Sequence, residues 1–134
     1  MKQSIFPCLL SLAVLTACNM PTKPAQITGV YTSGLKYEEY SCDRLGAELS
    51  SLARRQNQLI TAQEQRYKSS MMQAFWVGFG QGDGVEASEL ANVKGETEAV
   101  RHAMDVKGCD TGNYDIPEIK EPVNVPQKEK GQFN

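Results

Sequence analysis

Residues 41–76 read SCDRLGAELSSLARRQNQLITAQEQRYKSSMMQAFW, and no proline interrupts them. Ser41 suits a helix N-cap, and Asp43 sets a negative charge in the first turn, where the helix dipole favours it. Cys42, Leu45, Leu49, Leu52 and Leu59 recur at 3-4 spacing, with Gln56 and Gln63 in the same series. Ala53, Ile60, Tyr67 and Ala74 flank that series at seven-residue intervals. Together they form one apolar stripe of the width a core-facing helix needs. Glu64 and Lys68 add a favourable i,i+4 pair on the surface. Gly46 is the weak spot, costing about 1 kcal/mol relative to Ala, and implies close approach of a neighbouring element. The spacing predicts a helix over 42–76.

Residues 77–85 (VGFGQGDGV) carry four alternating glycines and end that helix. A second helix is predicted from Glu86 to Lys107, with Leu90, Val93, Val100 and Met104 as its apolar series and Thr97 between them. Ala87, Ala103 and Val106 join it. Glu86 and Glu89 sit in the first turn, Lys107 in the last, and Gly108 stands as a C-terminal cap. Before the hairpin, residues 27–40 combine Val30, Tyr31 and Thr32 with two glycines and read as a packed, irregular arm. Ile27, Val30, Tyr31, Leu35, Tyr37 and Tyr40 are its core candidates. The alternative is a binding face formed by the tyrosines. After the hairpin, residues 110–134 hold Pro117, Pro122 and Pro126 among polar residues and read as a disordered tail, with Tyr114 and Ile116 as its remaining contacts.

The N-terminus has a different character. One positive charge, Lys2, precedes an apolar run from Ile5 to Leu15, as in a secretory signal peptide over residues 1–17. The run ends in Leu15-Thr16-Ala17-Cys18, which resembles the lipobox of bacterial lipoproteins. That resemblance implies lipidation of the Cys18 sulfur, cleavage before it and acylation of the freed amine, giving a membrane anchor. Asn19 in place of Asp implies, by resemblance to enterobacterial lipoproteins, transport to the outer membrane. Residues 19–26, with two prolines, read as a tether. The distance in sequence from Cys18 to Cys42 limits that connection to about 80 Å. By chain connection, the end of the hairpin bearing Cys42 is then expected nearest the membrane.

With Cys8 in the leader and Cys18 taking the lipid, Cys42 and Cys109 remain. In an exported chain an even remainder reads as one disulfide, the alternatives being separate thiols or an intermolecular link. Cys42 opens the first helix and Cys109 follows the second, so an antiparallel hairpin brings them together. Pairing there sets Leu45 against Val106, Leu49 against Ala103 or Met104, and Leu52 against Val100 or Ala99. Leu59 meets Val93, and Gln56 faces Gly95. The expected fold is therefore mainly α: an antiparallel helical hairpin over 41–109 closed by one disulfide, after a lipidated tether and arm at 18–40.

The second helix covers the first only to about residue 65, leaving an overhang that contains Met71, Met72, Phe75, Trp76, Val77 and Phe79. Large apolar groups there form an interaction site, or else Phe75-Trp76 folds back on the hairpin or caps it with the 27–40 arm. Met71, Met72, Phe75, Trp76 and Phe79 are thus the candidate partner contact. Gln56 and Gln63 in the stripe leave room for assembly between copies.

The net charge of -2, about −3 without the leader, gives no ground for nucleic-acid binding. No apolar run is long enough for a transmembrane helix. His102 lacks a second ligand or nucleophile, Asp83 between glycines is too little for calcium, and Glu96 and Glu98 lie on different helix faces. Gly78, Gly80, Gly82 and Gly84 lack the preceding strand and the Lys-Ser/Thr of a phosphate loop. No catalytic residue, metal, cofactor or small-molecule substrate is expected.

The segments Tyr40-Ser41-Cys42-Asp43-Arg44-Leu45, Lys94-Gly95-Glu96-Thr97-Glu98-Ala99-Val100 and Lys107-Gly108-Cys109 resemble small Gram-negative envelope lipoproteins of unassigned function, with a Gly-rich middle containing Phe-Trp. The middle is less apolar here than in that pattern. The resemblance implies no activity. The expected role is a non-enzymatic structural or accessory component of a periplasm-facing envelope assembly. The alternative is a membrane-active lysis or surface-exclusion lipoprotein.

Overall fold

The computed structural model describes residues 20–120. The leader, Cys8, Cys18, Asn19 and residues 121–134 lie outside the described residues. Helix α1 spans Cys42–Val77 and helix α2 spans Val85–Lys107, with short 3-10 turns at Pro24–Gln26, Gly34–Tyr37 and Thr111–Asn113. Both helices begin and end within a residue of expectation. The Ser41 hydroxyl accepts the Arg44 N–H at 3.3 Å. Gly78 ends α1 in the left-handed region at φ 84°, and its N–H reaches the Ala74 carbonyl. A residue with a Cβ would be strained there, and glycine is not.

The helices are antiparallel and joined by the Cys42–Cys109 disulfide, whose Cα atoms lie 5.5 Å apart. Leu45, Leu49, Leu52, Ala53, Leu59 and Ile60 are buried against Leu90, Val93, Ala99, Val100, Ala103 and Met104. The register is the one the cysteines imply, and Thr97 reaches Gln56 across the interface at 3.4 Å. Val106 is the exception, being 74% exposed. It lies two residues beyond Met104, about 200° around the helix, so it matches Leu45 in level but not in side. The stripe glutamines serve the chain's own interior, not a contact between copies. Gln56 is buried facing Thr97, and Gln63 is buried beneath the N-terminal segment.

Two extended segments complete the core, because a two-helix interface leaves each helix open on its outer side. Residues 20–40 run along α2 from the loop end to the disulfide end. The Val30 N–H bonds the Ala91 carbonyl at 3.0 Å. Lys94 Nζ reaches the carbonyls of Pro24 and Ile27 at 3.0 and 2.7 Å, and Lys36 pairs with Glu96 at 2.9 Å. Gly95 permits this approach, since a Cβ there would lie 1.8 Å from the Val30 carbonyl oxygen. Ile27 and Tyr37 are buried, whereas Val30, Tyr31 and Leu35 point outward, which corrects the expected six-residue apolar contact. The tyrosines form no common face. Tyr37 is buried with Tyr40 edge-on to it, while Tyr31 is 90% exposed.

The expected tether is corrected as well. Pro21 and Pro24 are buried, and the chain approaches the hairpin at its loop end, not its disulfide end.

The tail reading changes for residues 110–120. After Cys109 the chain turns at Asp110, whose carboxylate accepts the Gly112 N–H, and runs along α1. Ser50 Oγ donates to the Asp115 carbonyl at 2.9 Å, and the Asn57 side chain bonds the Glu118 carbonyl and the Lys120 N–H. Tyr114 lies on Gly46, where a Cβ would meet its ring at 2.3 Å. This supplies the neighbouring element that Gly46 implied. Such a segment needs no helix or ladder of its own, because α1 provides its hydrogen bonds and its groove.

These contacts separate the two helix glycines by consequence. Gly46→Ala displaces the Tyr114 ring from its groove, but that ring is a side chain that can swing away, and either variant gains about 1 kcal/mol of helix propensity. Gly95→Ala meets backbone that cannot rotate away. Thermal unfolding followed by circular dichroism should show a clearly larger loss of Tm for Gly95→Ala, with helicity at low temperature kept by both variants.

Candidate functional site

The overhang of α1 is a consequence of length. Its 36 residues span roughly 54 Å and the 23 of α2 roughly 35 Å. With the disulfide fixing one end, the surplus of α1 emerges at the other. The last buried positions on its core face are Gln63 and Ser70, seven residues apart. Met71, Met72, Phe75 and Trp76 then follow at about 100° per residue, on the side of α1 opposite Ser70. They do not continue the core stripe.

Their exposure agrees with this. Phe75 is 81% exposed and Trp76 77%, with Met71, Met72, Val77 and Phe79 also exposed. The Phe75 and Trp76 rings stack edge to face, with centroids 5.5 Å apart. All five expected contact residues, Met71, Met72, Phe75, Trp76 and Phe79, are brought to one end, and Val77 joins them. The fold-back alternative is corrected: the 27–40 arm that would cap the tip lies along α2 instead. No Asp, Glu, Lys, Arg or His occurs between Lys68 and Asp83, so the tip is apolar and uncharged.

Beneath the tip the loop is held by polar contacts. Ser70 Oγ accepts the Gln81 N–H at 2.8 Å. Arg66 forks onto both carboxylate oxygens of Glu86 at 3.1 and 3.3 Å. Asp83 accepts the Thr22 N–H at 2.5 Å, the Thr22 hydroxyl at 2.6 Å and the Gln63 amide at 2.9 Å. Gln63 Nε2 also donates to the Thr22 carbonyl at 2.8 Å. Desolvation pushes the Asp83 carboxyl up, but the hydrogen bonds from Thr22 and Gln63 and the nearby Arg66 charge outweigh it and hold the group below its usual range. Sequence reasoning missed this clasp. Thr22 read as tether and Asp83 as an isolated acid, and 61 residues separate them.

The other sequence candidates do not converge. His102 is exposed beside a shallow concavity of about 240 Å³, lined also by Gly34, Glu38, Ala103, Val106 and Lys107. No hydroxyl or thiol is among the residues that line it. Glu96 is engaged by Lys36. Among the described residues no three His, Cys, Asp or Glu side chains could together hold a metal ion. No helix among them is long and apolar enough to cross a membrane.

The clasp has a pH signature. A carboxyl held below its ordinary value contributes stability above the unfolded value, near 3.8, and loses it as the pH falls through the folded one. Amide hydrogen exchange at residues 22–27, taken relative to the intrinsic exchange rate at each pH, should therefore be slow at neutral pH and gain on that rate in acid below about pH 4. In Asp83→Ala it should rise by about tenfold at neutral pH, while exchange within α1 over 45–60 stays unchanged. Comparisons with protein-family models, with curated proteins and with solved structures returned no match to this chain.

Proposed function

We propose that this protein is a lipid-anchored, non-enzymatic component of the bacterial cell envelope, a short disulfide-clasped rod that makes its functional contact through the tip. The exposed tip at Met71, Met72, Phe75, Trp76, Val77 and Phe79 carries the reading. Six large apolar side chains gathered at one end are unfavourable in water unless they meet another surface. The Cys42–Cys109 bridge suits an oxidising compartment. The Ile5–Leu15 run and Leu15-Thr16-Ala17-Cys18 supply export and the anchor, with Asn19 favouring the outer membrane. The accessory role rests on the tip being a contact surface, where no nucleophile, base or charged group stands among the side chains that would meet another surface.

The anchor is tested by Cys18→Ser. The variant should leave the membrane fraction, lose incorporated palmitate and keep its helicity. A Cys18→Ser protein that stays membrane-bound and labelled overturns the anchor.

A further inference from the structure

We propose that the tip docks into the interfacial layer of the same bilayer that holds Cys18, so that lipid and tip form one composite membrane contact; this rests on the anchor reading above. The Thr22–Asp83–Gln63 clasp carries it. Thr22 is fixed at the level of Gln63 on α1. It lies four positions after Cys18, a reach of roughly 14 Å at full extension. From Gln63, Trp76 lies about 20 Å along α1 in one direction, and Cys42 lies about 32 Å in the other. The lipid on Cys18 therefore cannot lie below the disulfide end, which exceeds its reach more than twofold. For a rod standing upright, a bilayer surface within that reach on the loop side crosses α1 short of its end, with Phe75 and Trp76 about 5 Å or more beneath its plane.

The chemistry of the tip suits that occupant. Trp, Phe and Met side chains favour the boundary between headgroups and acyl chains. The uncharged span between Lys68 and Asp83 carries no ionised group into that layer. Lys23 lies over the Tyr67 ring with its ammonium 5.5 Å from the centroid. With Lys68 on the adjoining stretch of α1, it places positive charge where anionic headgroups would stand, Arg66 being paired with Glu86. The lipid on Cys18 holds the chain at the bilayer, and the tip adds a second apolar contact beside it. The orientation follows from the clasp, which stops the segment after Cys18 from acting as a long leash.

The test uses the full lipidated protein in vesicles of phosphatidylethanolamine and phosphatidylglycerol, with Trp76, the chain's only tryptophan, as the probe. Acyl-brominated lipids should quench Trp76 and its emission should lie at short wavelength. Phe75→Ala or a Gly/Ser spacer inserted before Met20 should lose most of the quenching, while Tyr31→Ala on the exposed arm should keep it. Vesicle-bound lipidated protein with water-like, unquenched Trp76 emission overturns docking and leaves the anchor standing. Short-wavelength emission without bromolipid quenching assigns the tip to a protein surface, a partner or a second copy, and also overturns it. A mature N-terminal peptide without lipid, seen by mass spectrometry, overturns the anchor and the proposal together.

Discussion

The covalent link between Cys42 and Cys109 sets the register of two helices of unequal length, and most other features depend on that constraint. In the unfolded chain it closes a loop of 67 residues, a restriction worth roughly 4 kcal/mol when the stabilisation comes from lost loop entropy. That is a large share of the stability available to a domain of this size. With one end pinned, the surplus turns of α1 emerge at the other end, and the apolar tip is the result.

A helical hairpin is a thin object, since each helix buries one side and leaves the other to solvent. Here the outer faces are used by extended chain. The 20–40 segment lies on α2 over Gly95, and the 110–120 segment lies on α1 over Gly46. In both places the missing Cβ lets backbone or an aromatic ring approach closely. Helix side chains such as Lys94, Ser50 and Asn57 then satisfy backbone groups that have no regular structure of their own. The two glycines weaken their helices locally and are compensated by tertiary contact.

The same extended packing changes the orientation that an anchor at Cys18 would imply. The shortest path for a chain leaving an anchor at Cys18 would run straight to the start of α1. This chain instead docks first at the loop end through Thr22 and Asp83, then runs back the length of α2. In the proposed function, anchor and apolar tip therefore share one end of the rod. The disulfide end, where Val106 is exposed, is then presented away from the lipid.

The sequence by itself determined the two helices, their caps, their antiparallel pairing and the cysteine bridge. Each is written in local periodicity, in single residues such as Ser41 and Gly108, or in a register that one cysteine pair specifies. It also marked Met71, Met72, Phe75, Trp76 and Phe79 as the residues to watch, because their number exceeds what the overlap of the helices can cover. Tertiary structure alone decided that these side chains stay exposed, that residues 110–120 are ordered and that the segment before the arm is clasped to the interhelix loop. Those outcomes rest on pairs such as Thr22 with Asp83 and Tyr114 with Gly46, distant in sequence and made of residue types common in loops. Composition counts what a segment can bury by itself, whereas packing depends on what its neighbours offer it.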